Sequence, residues 1–124
     1  MMRHLISTEG SDRGTGYNVS NRMLRRDGKL LIGWLDAPPE KGDDVRAMLG
    51  VCDLETGALQ HAFQIGGGID NHCGSALVMD ANARVHAVVG AHHGPFIYRY
   101  SDDPVHENAW SDPEFLGPAD TYPS

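Results

Sequence analysis

Hydrophobic residues in this chain fall in short runs that alternate with polar positions and stop at turn residues. Residues 29–37 (KLLIGWLDA) follow Asp27-Gly28, a dipeptide that favours a tight chain reversal. Residues 45–57 (VRAMLGVCDLETG) run into a Thr-Gly turn, and residues 58–64 (ALQHAFQ) follow as the next arm of a hairpin. Residues 75–80 (SALVMD), 84–91 (RVHAVVGA) and 95–101 (PFIYRYS) complete the set. No stretch sustains the period of an amphipathic helix. The predicted fold class is all-β and antiparallel, built from about seven short strands.

A repeat underlies these runs. Laying residues 17–37 over 72–92 brings Ser20 onto Ser75 and Met23-Leu24 onto Val78-Met79. The turn Asp27-Gly28 falls on Asn82-Ala83, and Lys29-Leu30 on Arg84-Val85. Each copy reads strand, polar turn, strand, then a loop and a further strand. A period near 50 with about four short strands is the signature of a β-propeller blade. Blade-like repeats therefore span about 17–69 and 72–119, and DTYPS at 120–124 matches the start of a third, with Ser124 in the place of Ser75. Propellers close with about four to eight blades. The expectation is thus a single partial propeller domain over residues 1–124, truncated from a longer protein. A small complete β-sandwich is the simpler alternative.

An apolar content of 40% suffices for a core, and a net charge of −7 argues against non-specific binding to nucleic acid. No apolar run approaches the roughly 18 residues a membrane helix needs. The N-terminal MMRHLISTEGSDRG lacks the apolar segment of a signal peptide. Neither nucleic acid nor membrane is expected as a partner. Cys52 and Cys73 are too few for a disulfide framework and are read as small core residues.

The repeat also places the candidate chemistry. Tyr17, His72 and Tyr122 occupy equivalent positions, which propeller rotation would gather at one mouth of the channel. His92 lies twenty residues after His72, about the length of a hairpin, so antiparallel pairing would set the two imidazoles side by side. Paired histidines suit general-base chemistry, because the ordinary imidazole pKa lies near physiological pH. They also suit metal binding, with His72, His92, His93 and Cys73 as the donor set, or they are plain polar loop residues. No CxxC or HExxH spacing supports a metal, and no cofactor is expected. His86 alternates within a strand and reads as structural; His4, His61 and His106 read as surface residues. Asp53, Asp70 and Asp80 read as turn formers.

Asp70-Asn71-His72 with Ser75, the degenerate hairpin Asn82 to His86, and Gly90-Ala91-His92 follow a DLETG strand end (53–57) and precede TYPS (121–124). In order and spacing these motifs resemble the BNR-repeat-like β-propeller family that includes the ulvan lyases. The resemblance covers about residues 17–124. It implies a seven-bladed propeller and a polysaccharide lyase that cleaves a uronate-containing, ulvan-like anionic polysaccharide by β-elimination. It further implies a secreted or periplasmic location and leaves room for a structural divalent metal in the full-length protein. On this resemblance His72 and His92 are base and carboxylate neutraliser, in either order, and Tyr122 is the acid. Asn71 positions the substrate carboxylate, and His93, Arg99 and Tyr17 are further substrate-binding candidates. The sequence departs from the pattern at Ala83, where a turn glycine is expected, and at His93, which doubles the second histidine. The family's arginine would fall past residue 124, so the isolated chain is expected to be inactive. Two other function classes compete. One is a non-catalytic propeller module that binds glycan or protein. The other is a sialidase-like glycoside hydrolase, whose S-x-D-x-G-x-T-W box this sequence lacks.

Overall fold

A computed structural model of the chain describes residues 3–11, 21–38, 40, 44–90 and 92–118. The described residues hold eight antiparallel strands in two four-stranded sheets, each ordered as the chain runs. The first sheet comprises β1 (Met23–Arg26), β2 (Lys29–Asp36), β3 (Val45–Asp53) and β4 (Leu59–Gly68). The second comprises β5 (Ser75–Met79), β6 (Val85–Val89), β7 (Phe96–Ser101) and β8 (Glu114–Leu116). Helical content among the described residues is limited to a 3-10 turn at Glu107–Ala109 and 3-10 conformation at Glu40. The all-β expectation therefore holds. β4 runs past its predicted extent, and β8 lies outside the predicted runs. β4 continues through Gly66, Gly67 and Gly68, because its ladder with β3 runs on to Val45 opposite Gly68. β8 is three residues long, too short to carry a period of two.

Alternation sets the core. Val45, Ala47, Leu49 and Val51 of β3 are all buried on one face, joined by Leu31 and Leu35 of β2. Phe63 and Ile65 of β4, two residues apart and so on one face, enter the same cluster, and a register shift between Ala47 and Met48 follows beside Ile65. Leu77, Val85, Ala87 and Val89 of the second sheet complete it, so one apolar core lies between the two sheets. At Gly33 the sheets come so close that a Cβ would stand 2.6 Å from Ser75 Oγ.

Polar bridges tie the sheets at several points. Asn21 Nδ2 donates to the Leu77 carbonyl at 3.0 Å, and the Leu77 N–H donates to the Asn21 carbonyl at 2.8 Å. Arg26 donates to the carbonyls of Ala83 (2.9 Å) and Asp102 (2.8 Å). The turn joining β1 to β2 has Asp27 at φ 49 and Gly28 at φ 75, and the matching turn of the second sheet has Ala83 at φ 63. The repeat alignment had placed Ala83 over Gly28, and both adopt the left-handed conformation.

Candidate functional site

The loop between β4 and β5 folds back on itself after the glycine run. A Cβ on Gly68 would lie 2.3 Å from both Cβ and Sγ of Cys73, so only glycine permits this return. Inside the loop the Cys73 N–H donates to the Asp70 carbonyl at 3.2 Å, closing a turn. The Gly90 N–H donates to the Gly74 carbonyl at 2.7 Å, which fastens the β6–β7 loop alongside. Two loops that are distant in sequence thereby share one end of the second sheet.

His72 and His92 come from these two loops and meet. Their ring centroids are 4.5 Å apart, and the His93 ring lies 4.2 Å from that of His92. Asp70 sits between the pair. Its Oδ1 accepts from the His72 backbone N–H at 2.9 Å and from His72 Nδ1 at 3.0 Å. Its Oδ2 accepts from His92 Nδ1 at 2.6 Å. An ionised carboxylate can only accept, so both Nδ1 atoms carry a proton, and in the neutral ring the lone pair is on Nε2. Burial pushes the Asp70 carboxyl up. The His72 backbone N–H and the two imidazoles outweigh it and hold the group below its ordinary value. The Asp70, His72 and His92 side chains are 28%, 32% and 20% exposed, so solvent and ligands reach them.

A cleft of about 180 Å³ adjoins the histidines. It is lined by His92, His93, Cys73 and the apolar Ile69, Ile97 and Phe115, among others, with no lysine or arginine among its described lining residues. His93 stands at φ 58, an uncommon conformation for a residue with a side chain. A larger cleft, of about 310 Å³, lies between the turns at Gly28 and Ala83 and is lined by Arg25, Arg26 and Asp27, with no imidazole.

The remaining sequence candidates divide. Asn71 belongs to the same loop and is half-buried beside His72. Arg99 is not part of the cleft lining. Its Nε donates to the Ser111 carbonyl at 2.8 Å and its Nη1 to the Ile65 carbonyl at 3.4 Å, so it braces the second sheet against the first. Tyr17 and Tyr122 lie outside the described residues. Cys52 and Cys73 are buried free thiols, and burial pushes the Cys52 thiol up. Asp70 was read from sequence as a turn former. It fills that role, and it also orients two imidazoles, one of them 22 residues away.

A second imidazole relay lies on the outward face of the second sheet. His86 Nε2 donates to Asp80 Oδ2 at 2.8 Å, and its Nδ1 accepts from the Tyr98 hydroxyl at 2.8 Å. It sits on an open strand surface beside Val78 and Tyr100, which are 59% and 37% exposed. Neither of the two clefts above is lined by these residues.

No family model matches the chain, and no curated protein matches it. The residues themselves offer two oriented imidazole lone pairs, a shared carboxylate and an apolar wall. That set can take a proton from a weakly acidic carbon, hold a carboxylate, or ligate a cation.

Proposed function

We propose that the chain is part of a polysaccharide lyase of the BNR-repeat-like β-propeller type, with its two sheets as successive blades of a seven-bladed ring. Its substrate on this reading is a uronate-containing, ulvan-like anionic polysaccharide. The observation that carries the reading is the pair of imidazoles at 4.5 Å, oriented by one carboxylate, within the motifs at 70–75 and 90–92. The two sheets share one strand order, which suits successive blades.

The chemistry is a β-elimination. One imidazole Nε2 takes the C5 proton of the uronate, and the electron pair of that C–H bond forms the C4=C5 double bond. The C4–O4 bond breaks, and the leaving oxygen takes a proton from the Tyr122 hydroxyl. The C5 proton is weakly acidic, so the substrate carboxylate must be neutralised as charge builds on it. The second imidazole, protonated at Nε2 as well so that it donates as an imidazolium, and the Asn71 amide serve that need. Asp70 stabilises the imidazolium that forms, as a buried carboxylate does behind a catalytic histidine. His93 and Tyr17 contact the sugar chain on this reading. Arg99 serves the fold.

The test is to incubate the chain, alone and extended by its flanking coding sequence, with ulvan and other uronate polymers. The ultraviolet absorbance of the unsaturated uronyl product is followed. Product formation that falls about 10²-fold or more in His72→Ala and in His92→Ala, with secondary structure retained, supports the reading. Polysaccharide binding with no unsaturated product from the extended protein overturns it and leaves a glycan-binding module in its place.

A further inference from the structure

Asp70, His72 and His92 offer one carboxylate oxygen and two imidazole nitrogens within 4.8 Å of one another. We propose that these three side chains form a binding site for a divalent first-row transition cation, zinc in the first place. The proposal goes beyond the lyase reading and does not depend on it.

Donor chemistry selects the cation. Two nitrogens and one oxygen suit zinc and its neighbours, whereas calcium and magnesium call for oxygen donors throughout. Geometry agrees. Ligands about 2.0–2.1 Å from zinc stand roughly 3.4 Å apart across a tetrahedral angle. His72 Nδ1 lies 3.0 Å from Asp70 Oδ1 and His92 Nδ1 lies 2.6 Å from Asp70 Oδ2, and the three donor atoms all fall within 4.8 Å of one another, so modest side-chain rotation brings them to that spacing. Three protein ligands leave a fourth position for water or a carboxylate.

Charge points the same way. The Asp70 carboxylate has imidazoles as its ion-pair partners in the structure, and the adjoining cleft is lined by no lysine or arginine among the described residues. A cation there balances the carboxylate, and it does so without forcing two imidazolium rings to share one small space. The cation takes the place of the two shared protons. Each imidazole keeps one proton, now on Nε2, so the exchange needs no redox partner and no co-reactant. The donors come from two loops, so the bound ion also clips the β4–β5 loop to the β6–β7 loop.

An imidazole whose lone pair rests on a cation cannot accept a proton from substrate. Zinc occupancy and histidine base catalysis therefore exclude one another at this site.

The experiment is calorimetric titration of chelator-treated protein with zinc chloride, followed by cobalt chloride with visible absorbance as a readout of geometry. One zinc per chain, a cobalt absorption band typical of tetrahedral coordination, and no competition from calcium are expected. His92→Asn and Asp70→Asn should each weaken zinc binding at least tenfold, while His86→Asn, which disrupts the other imidazole relay, leaves it unchanged. Ring-nitrogen magnetic resonance of the unaltered protein gives a readout that needs no variant: His72 and His92 signals move with zinc and His86 does not. The absence of binding to folded protein, or full binding in His92→Asn, overturns the site. None of these readouts involves activity, so the metal site and the lyase reading can fail separately. If both hold, zinc suppresses uronate elimination with the midpoint seen by calorimetry.

Discussion

Ala83 occupies the left-handed conformation at φ 63 that Gly28 takes at the matching turn. A side chain in that region costs about 1–2 kcal/mol, and glycine's greater freedom in the unfolded chain returns part of the difference. Ala83→Gly should therefore stabilise the protein by roughly 0.5–1 kcal/mol, read from the urea midpoint at constant slope. The absence of a turn glycine was visible in the sequence, and so was its position in the repeat. Asp70 shows the opposite limit. An aspartate two residues ahead of a histidine announces a side-chain-to-backbone turn, which the His72 N–H at 2.9 Å confirms. Its second bond, to His92, depends on how two loops are fastened together, and no local pattern encodes that.

At the scale of elements, the sheets are held by close approach as much as by area. Gly33→Ala would drive a Cβ into Ser75 Oγ at 2.6 Å and should cost about 1–3 kcal/mol by overpacking. Leu49→Ala, at a fully buried position of β3, should cost roughly 2–5 kcal/mol through lost burial and the cavity left behind. Val78→Thr on the open face of β5 should shift stability by no more than about 0.5 kcal/mol, because that side chain already faces solvent. Thermal and urea unfolding of the three variants would check the ranking, and an equal cost at all three positions would contradict the two-faced reading of the sheets. The alternation that buries Leu49 and exposes Val78 was legible in the sequence. The extension of β4 through its glycines was not, since glycine carries no period and only the partner strand prolongs it.

Across the whole molecule, acidity is the condition that should loosen the fold. Away from the histidine cleft, the carboxyls of Asp53, Asp80 and Asp102 are held below their ordinary value. The leading causes are the Thr56 backbone N–H for Asp53, the His86 side chain for Asp80 and the Arg84 side chain for Asp102. Around Asp80 and Asp102 stand His86, Arg84 and Arg26, and Asp80 opposes the depression of Asp102 by like-charge repulsion. A depressed folded-state value means the unfolded chain binds protons more readily. The contribution is complete above the ordinary carboxylate value of about 4 and is lost as pH falls through the lower folded value. Urea midpoints should therefore fall as pH drops below about 4, and Asp102→Asn should flatten that fall. Asp80 and Asp102 are solvent-exposed and Asp53 is half-buried, so added salt should shrink the effect.

By itself the sequence determined the all-β class, the strand-and-turn rhythm, the repeat and the equivalence of the two turns. Those features follow from alternation and turn chemistry between near neighbours, which a chain carries wherever it goes. The tertiary structure decided what the side chains do. It set Arg99 against the carbonyls of Ile65 and Ser111, and it joined Asp70 to His92. These outcomes depend on how far apart two sheets and two loops come to rest. That spacing is set by Gly33, Gly68 and the shared core together, not by any one stretch of chain.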